Sequence, residues 1–486
     1  MCLQIGEGLI KMTVYPEVKT MHKAFFGIFA ALSVATLIIA CDTQKDVKET
    51  VKRPVFEKEI SNLTATPDIG KIKLTWKLED INNVDEIQIS LRYNRIGQST
   101  GFVVAQRLSP DTTEATLEVP PLADIIARVR LVSKDGNRSK GKTIRASALH
   151  KNVVIDKVAI FRIDTPRNLY IYLPDSYHNT DKKYPVIYMH DGQNLFSTGT
   201  GSSVSWRVDL AIDRLVSEGK LEEVIVVGIP HAGDRRMAEY IPYRIPAGIA
   251  SRSEGKEYAQ YIVDTILPYV ESKYRISSKR EDRAVMGSSL GGLMSFWMVK
   301  EYPEIFSFAG MVSPYAPWIL DDTKKLKRQD IKIWVDTGTA EYGIHNFNYV
   351  ELARKFSDIM TENNYRYGEN FAYYEVFRGN HNETDWAARV DLPLIFFKGK
   401  PANRMEKIEV KAQRLQYPYD NIKWVINPVA YFDNGLRYSL FREAEYSVVG
   451  ESAVTVSKSG EVNLNGESSA VIKVLYRGFA TNVNIP

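Results

Sequence analysis

Cysteine is almost missing from this sequence, with only Cys2 and Cys41 in 486 residues. Both precede any globular pattern, so the body of the chain has no thiol for a disulfide or a cysteine-held metal, and no metal or other cofactor is called for. Histidine is scarce too, with seven in all, so each can be weighed separately. A dominant charge sign is also lacking. Lys plus Arg number 63 against 59 Asp plus Glu, a net charge of +4, and no long basic run appears. That sets aside a nucleic-acid partner. The length exceeds what one hydrophobic core usually organises and suggests about two to four domains. A chain without disulfides must hold itself by burial, which this size permits.

The first segment reads as export machinery rather than fold. His22-Lys23 precedes an apolar run, Ala24 to Ala40, and then Cys41. A basic start, an apolar stretch and small residues before the cut describe a secretory signal. Ile38-Ile39-Ala40-Cys41 resembles a bacterial lipobox, which implies cleavage before Cys41 and lipid attachment to its sulfur. An uncleaved anchor is the rival reading, but the run is near the lower limit of the ~17–25 residues that span a bilayer. Either residues 1–20 are a long leader or Met21 is the true start. Both readings place the body outside the cytoplasm, in the cell envelope, with membrane contact through the lipid. Residues 1–41 are thus assigned to the signal, and 42–53, which are polar, to a tether.

From 54 to 149 the hydrophobic period is two. Ile72, Leu74 and Trp76 alternate with polar residues, as do Ile87, Ile89, Leu91 and Tyr93, and Ala127, Val129 and Leu131. Such alternation means strands with one face buried, and several with turns between them suggest a β-sandwich. The stretches Leu63-Thr64-Ala65-Thr66-Pro67, Lys73-Leu74-Thr75-Trp76 and Val132-Ser133-Lys134-Asp135-Gly136-Asn137 resemble a fibronectin type III or related module. Trp76 sits on the apolar face and is expected in the core rather than at a sugar.

From 150 to 400 short apolar strands alternate with amphipathic helices. This predicts an α/β domain, a mainly parallel sheet with helices on both faces. Strands are expected at 185–189, 224–229, 284–286, 331–335 and 371–376, and helices around 258–274 and 349–363. The central signal is Gly287-Ser288-Ser289-Leu290-Gly291, a Gly-x-Ser-x-Gly between strand and helix. A nucleophile elbow needs small residues two before and two after its serine, where a side chain would strike its neighbour. Ser289 meets that test. Ser288 does not, because Met286 and Leu290 would occupy the small sites. In such a sheet the chemistry belongs at the carboxyl ends of the strands. Those ends deliver His190 to Phe196, Ser289, Asp336 to Glu341, and Arg378 to Glu383, so serine, acid and histidine follow in that order.

Four stretches make the likeness specific: Tyr184 to Phe196 (YPVIYMHDGQNLF), Arg236 to Pro242 (RMAEYIP), Gly287 to Gly292 (GSSLGG) and His381 to Trp386 (HNETDW). They resemble the esterase D / enterochelin esterase group of α/β-hydrolases, which includes feruloyl and acetyl-xylan esterases. The resemblance implies an α/β-hydrolase fold and a serine esterase. Ser289 is the candidate nucleophile and needs a base to take its proton; His381 is that candidate. The histidine in turn needs a carboxylate. By the family's acid position this is Glu341, with Asp336 as alternative acid and Asp385 as a third possibility. The fold places one oxyanion donor at the backbone N–H of Leu290, and the resemblance places the second at Gln193. Gly192 would let that loop approach the substrate, with Asp191 and Asn194 shaping the loop or touching it. Trp206 is read as lining the cleft mouth or packing. His190 is expected in the core without a catalytic role, His231 on a loop surface, Arg235 and Arg236 in structure, and His345 carries no motif. Lys324 to Arg328 reads as a solvated charge run.

From 401 to 486 the alternating period returns. Val454 to Val462 resembles a bacterial immunoglobulin-like domain. Tyr417, Tyr419, Trp424, Tyr431 and Phe432 are a candidate glycan platform, with packing the commoner role. The expected architecture is therefore an α/β-hydrolase domain flanked by two all-β sandwich domains. The expected function is a lipid-anchored serine esterase acting on an acylated glycan or other ester. A siderophore esterase is the enzymatic alternative, and an inert glycan-binding or adhesion protein the alternative of another class. The oligomeric state stays open.

Overall fold

The computed structural model describes residues 56–486 apart from 96–97, 100, 121–123, 150, 159–166, 197–204, 245–252, 316, 318, 327–329, 342–347 and 417–421. Cys41, the leader and the tether lie outside the described residues, as do His345, Tyr417 and Tyr419.

The central sheet has eight strands: β1 (Val153–Val158), β2 (Arg167–Tyr172), β3 (Val186–His190), β4 (Ile225–Ile229), β5 (Arg283–Ser288), β6 (Phe308–Val312), β7 (Lys332–Gly338) and β8 (Phe371–Val376). Their spatial order is β8-β7-β6-β5-β3-β4-β2-β1. β3 to β8 run parallel through this order, whereas β2 is antiparallel to both β4 and β1. Parallel strands covered on both faces need apolar side chains on both, and the sequence supplies them by parity. Tyr188, Val285, Ile333 and Val335 enter the core on one face. Ile187, Met189, Met286 and Trp334 enter the core on the other.

The helices that matter here are α1 (Val208–Ser217), α2 (Leu290–Glu301), α3 (Tyr349–Glu362), α4 (Glu383–Ala387) and α5 (Asp391–Lys398). Gly291 through Val299 of α2 are all buried, because the helix lies against the sheet with packing all round it. α3 begins where the Asn348 side chain accepts a bond from the Glu351 N–H. The helix expected at 258–274 runs from Gly255–Tyr261 through a wide turn, Ile262–Ile266, into Leu267–Lys273. Pro268 has no N–H to give to the ladder, which accounts for the wide turn. β1, β2 and β6 were not read from the sequence. β6, Phe-Ala-Gly-Met-Val, is too short and too uniform for a period to show.

Before this domain lie two antiparallel sheets. One joins Ser61–Asp68, Lys71–Lys77 and Glu114–Glu118; the other centres on Val84–Arg95 and Asp124–Ser133. Trp76 is buried and donates its indole N–H to the Thr112 carbonyl at 2.9 Å, as a core tryptophan should. After the α/β domain come a five-stranded and a three-stranded antiparallel sheet spanning 405–485.

The C-terminal sheets do not enclose a separate core. Ile426, Val429, Ala430 and Tyr438 belong to the same apolar cluster as Trp334, Phe396 and Phe397. A buried polar knot fastens the seam. Arg354 of α3 pairs with Glu375 of β8 at 2.8 Å, Gln413 donates to the same carboxylate, and Asn427 donates to the Glu375 carbonyl at 3.1 Å. On the outer edge of β8, the Glu375 N–H donates to Ser439 Oγ at 2.9 Å. The C-terminal module thus covers a strand edge that would otherwise invite pairing with another chain.

Candidate active site

β3, β5, β7 and β8 are parallel, so their carboxyl ends meet on one rim of the sheet. At the end of β5 the chain reverses at Ser289, with φ 56° and ψ −119°. That backbone is strained for a residue with a side chain, and it lifts the hydroxyl out of the sheet toward the rim. A Cβ on Gly287 would come within 2.9 Å of the Gly291 backbone, and one on Gly291 within 3.2 Å of His190 Cβ. Both glycines are therefore needed for the turn to close. The Ser289 N–H donates to Val312 O at 2.9 Å, and the Tyr315 N–H donates to Ser289 O at 3.1 Å. These bonds hold the strained residue against the end of β6. Ser289 remains half-buried and reachable.

Beyond β7, the chain turns at Gly338, whose missing side chain leaves room for the Gly379 carbonyl. Glu341 then points back into the protein, its side chain fully buried. Glu341 Oε1 accepts from Ser313 Oγ at 2.6 Å, from the Gly338 N–H at 2.8 Å and from Arg389 at 3.2 Å. Glu341 Oε2 accepts from His381 Nδ1 at 3.0 Å. A carboxylate only accepts, so the proton of His381 sits on Nδ1 and Nε2 is left as an acceptor. The imidazole lies 5.1 Å from the Tyr349 ring and edge-on to Trp386 at 5.0 Å. The Trp386 indole donates to Ser313 Oγ at 3.1 Å. Serine, histidine and carboxylate thus share one scaffold, Val312-Ser313, whose first residue holds Ser289 and whose second holds Glu341.

Asp336 is elsewhere in this cluster. It is fully buried, accepts from Trp334 Nε1 at 2.7 Å and pairs with Arg389 at 2.8 Å. Burial pushes its carboxyl above the usual range, although Arg389 and Trp334 act against that. Its role is to help neutralise Arg389 rather than to touch His381. Asp385 holds the loop instead, accepting from the Asn380 N–H at 3.1 Å and the Asn382 amide at 2.9 Å.

A serine on a strained elbow, with a histidine whose second nitrogen is fixed by a buried carboxylate, is the constellation of a serine carboxylic ester hydrolase. Comparison with known proteins agrees. Residues 161–397 match the family described as "Putative esterase". That match spans the central α/β domain. Over 152 residues the chain is 27% identical to the Bacillus subtilis (strain 168) "Uncharacterized protein YbbA", covering 30% of this chain and 56% of that protein. It is 26% identical over 163 residues to the "Endo-1,4-beta-xylanase/feruloyl esterase" of Xylanibacter ruminicola, covering 32% of this chain and 21% of that one. A solved ferulic acid esterase aligns at 19% identity and a TM-score of 0.39, covering 51% of this chain and 97% of that chain.

In the esterase domain the loop after β3 departs from several expectations. Gly192 does not free the backbone for substrate; a side chain there would overlap the backbone of Gly228 on β4. Of the two roles open to Asp191, loop or substrate, the structure supports the loop, because Arg236 takes both its oxygens at 2.7 Å. Burial works to raise the Asp191 carboxyl, and the guanidinium outweighs it and holds the group below the usual carboxylate range. Asp191 therefore shapes the loop; its N–H donates to Tyr240 Oη at 2.9 Å. Trp206, open to the cleft mouth or to packing, is 2% exposed and packs on Trp386 with ring centres 5.5 Å apart. It belongs to the core that supports α4. Asn194 is half-buried and donates to Glu383 at 3.4 Å, which ties the β3 loop to the start of α4.

Gln193 is buried, and its side-chain oxygen accepts from the His231 N–H at 3.2 Å. His231 is half-buried beside this loop rather than on an open surface. His190 is enclosed against Tyr258 at 3.1 Å, and burial pushes its pKa down to about 4. Arg235 pairs with Glu254, so both arginines are structural.

Sequence reading missed Ser313 and Arg389, the two side chains that hold the rear oxygen of Glu341. Ser313 follows an unrecognised strand and Arg389 sits in the turn between α4 and α5 in no motif, so neither carries a local signal.

Proposed function

We propose that this protein is an exported serine carboxylic-ester hydrolase that removes acyl or feruloyl groups from a polysaccharide, held at the cell envelope by lipid on Cys41. The observation that carries the reaction class is the bond from His381 Nδ1 to the buried Glu341, on the same rim of the sheet as a serine on a strained elbow. His381 Nε2 takes the hydroxyl proton of Ser289 as Oγ attacks the ester carbonyl carbon. The carbonyl electrons move to oxygen, and the N–H groups of Leu290 and Gln193 receive that oxyanion. Leu290 opens α2, whose positive end adds to the field there. Collapse expels the sugar hydroxyl, which takes the proton from His381, and leaves an acyl-enzyme on Ser289. Water then gives a proton to His381 and attacks the acyl carbon. Expulsion of Ser289, which regains its proton, releases the carboxylic acid. Glu341 holds the ring tautomer and stabilises its cationic form throughout.

The polysaccharide reading is supported by the export signal, by flanking β modules on an enzyme domain, and by the name of the xylanase/feruloyl esterase relative. The test is turnover by residues 42–486 of acetyl-xylan, methyl ferulate and a catecholate trilactone, wild type against Ser289→Ala. Sugar-ester turnover that vanishes in the variant is expected. A preference for the trilactone would move the protein to siderophore release. Activity retained in a folded Ser289→Ala protein would refute the mechanism.

A further inference from the structure

The C-terminal module carries a cleft of about 860 Å³ that has no part in the reaction above. That volume falls in the ~300–1,000 Å³ range of small-ligand sites. Register explains how it arises. Arg414 lies opposite Trp424, Trp424 opposite Val462, and Val462 opposite Val456, on four neighbouring strands. Directly paired residues point to the same face of a sheet, so these four form one row. The row starts with a cation and an indole and ends in aliphatic residues. The next row, Ala412 and Ile426, enters the core. Trp424 thus stands where the interior of the module opens to solvent, half-buried, with Thr455 and Asn463 on the rim.

Several polar groups here already have partners: Ser457 Oγ accepts from the Glu461 N–H at 3.0 Å, the Asn463 oxygen accepts from the Asn465 N–H at 3.1 Å, and the Asn465 amide donates to the Ala453 carbonyl at 2.7 Å. Thr455 and Asn463 sit one residue off the Val456–Val462 pair, so their side chains face the other side of the sheet. Among the described residues, neither the Trp424 indole N–H nor the exposed Arg414 guanidinium has a hydrogen-bond or ion-pair partner. An indole needs a polar partner and an apolar one at once. A pyranose meets that combination, since its C–H face stacks on an aromatic ring while its hydroxyl oxygens accept from donors around the ring's edge. A peptide strand would need an unpaired sheet edge instead, and the strand Ile422–Phe432 that carries Trp424 is paired on both sides.

We infer that this cleft is a glycan-binding site, in which Trp424 stacks on a sugar ring and Arg414 donates to its hydroxyls. It holds the chain being worked on near the esterase domain, and it does not depend on the chemistry at Ser289.

The experiment is depletion of the protein from solution by insoluble arabinoxylan, mannan and cellulose. It uses residues 42–486 carrying Ser289→Ala, so that the glycan stays intact. Binding to at least one is expected, weakened about tenfold by Trp424→Ala and several-fold by Arg414→Ala. Because Trp424 also touches the core, Arg414→Ala is the decisive variant, checked by thermal unfolding. In otherwise wild-type protein the same substitutions should raise KM on the polymeric ester and leave methyl ferulate turnover unchanged. Loss of methyl ferulate turnover only in Ser289→Ala would concern the esterase reading alone. Failure to bind any of the three polymers, or unchanged binding in a folded Arg414→Ala protein, overturns the inference.

Discussion

Two buried carboxylates stand at strand ends on the same rim, each beside an arginine, and they do different work. Asp191, after β3, gives both oxygens to Arg236 as a bidentate pair. Glu341, after β7, shares only Oε1 with Arg389, while Asp336 takes part of that arginine's charge. Its second oxygen is free to hold His381. A carboxylate consumed by a fork-shaped partner is a fastening. One whose partner is partly claimed elsewhere can orient and stabilise a titrating base. The contrast is set by how many acids each arginine serves: one in the first cluster, two in the second.

The largest test of this contrast is Glu341→Ala against Asp336→Asn. Losing the carboxylate that fixes the histidine should cost about 10³–10⁴ in kcat. Asp336→Asn should cost less than about tenfold in kcat and be felt mainly as lost stability. The reverse ranking, read by steady-state kinetics and thermal unfolding, would make Asp336 the working acid. Next comes Asp191→Ala, which strands the half-buried Arg236. It should destabilise by about 3 kcal/mol, with Arg236→Met partly restoring the double variant. A variant with wild-type stability would show that the pair is no fastening.

Acidity gives the third test. His190 titrates near 6.5 when unfolded and at about 4 in the fold, so the unfolded chain binds the extra proton between those values. Its contribution is intact above pH 6.5 and lost as the pH falls toward 4, about 3 kcal/mol in all. His190→Gln should flatten that part of a denaturation-versus-pH curve, and an unchanged slope would mean that the loss arises elsewhere. The smallest effect is expected at Trp206→Phe. A core role predicts about 1–2 kcal/mol of lost stability and a KM for methyl ferulate within about twofold of wild type. A large rise in KM without lost stability would return Trp206 to the cleft mouth.

Legibility in the sequence followed how local each signal was. The elbow was readable because its constraint lies within five residues, with Gly287 and Gly291 flanking Ser289. His381 and Glu341 were reachable through motif and order, although choosing Glu341 over Asp336 leaned on family position. For Asp191 and Trp206 the sequence leaves two roles open, substrate contact or structure. Their partners, Arg236 and Trp386, lie 45 and 180 residues away and could not be seen from either position. The seam with the C-terminal module was hidden for the same reason. A period of two shows that one face of a strand is buried, but not what buries it.

By itself, then, the amino-acid order determined the alternation of strands and helices, the flanking β modules and the turn that exposes Ser289. Hydrophobic period and glycine placement act over a few residues, which is why they can be read along the chain. Only the tertiary structure decided which carboxylate reaches His381, which arginine is shared, and that Trp424 stands in a row of side chains at an open cleft. Those outcomes depend on side-chain atoms brought within about 3 Å by strands far apart in sequence, and hydrogen bonding at that range is too short and too directional for composition or period to record.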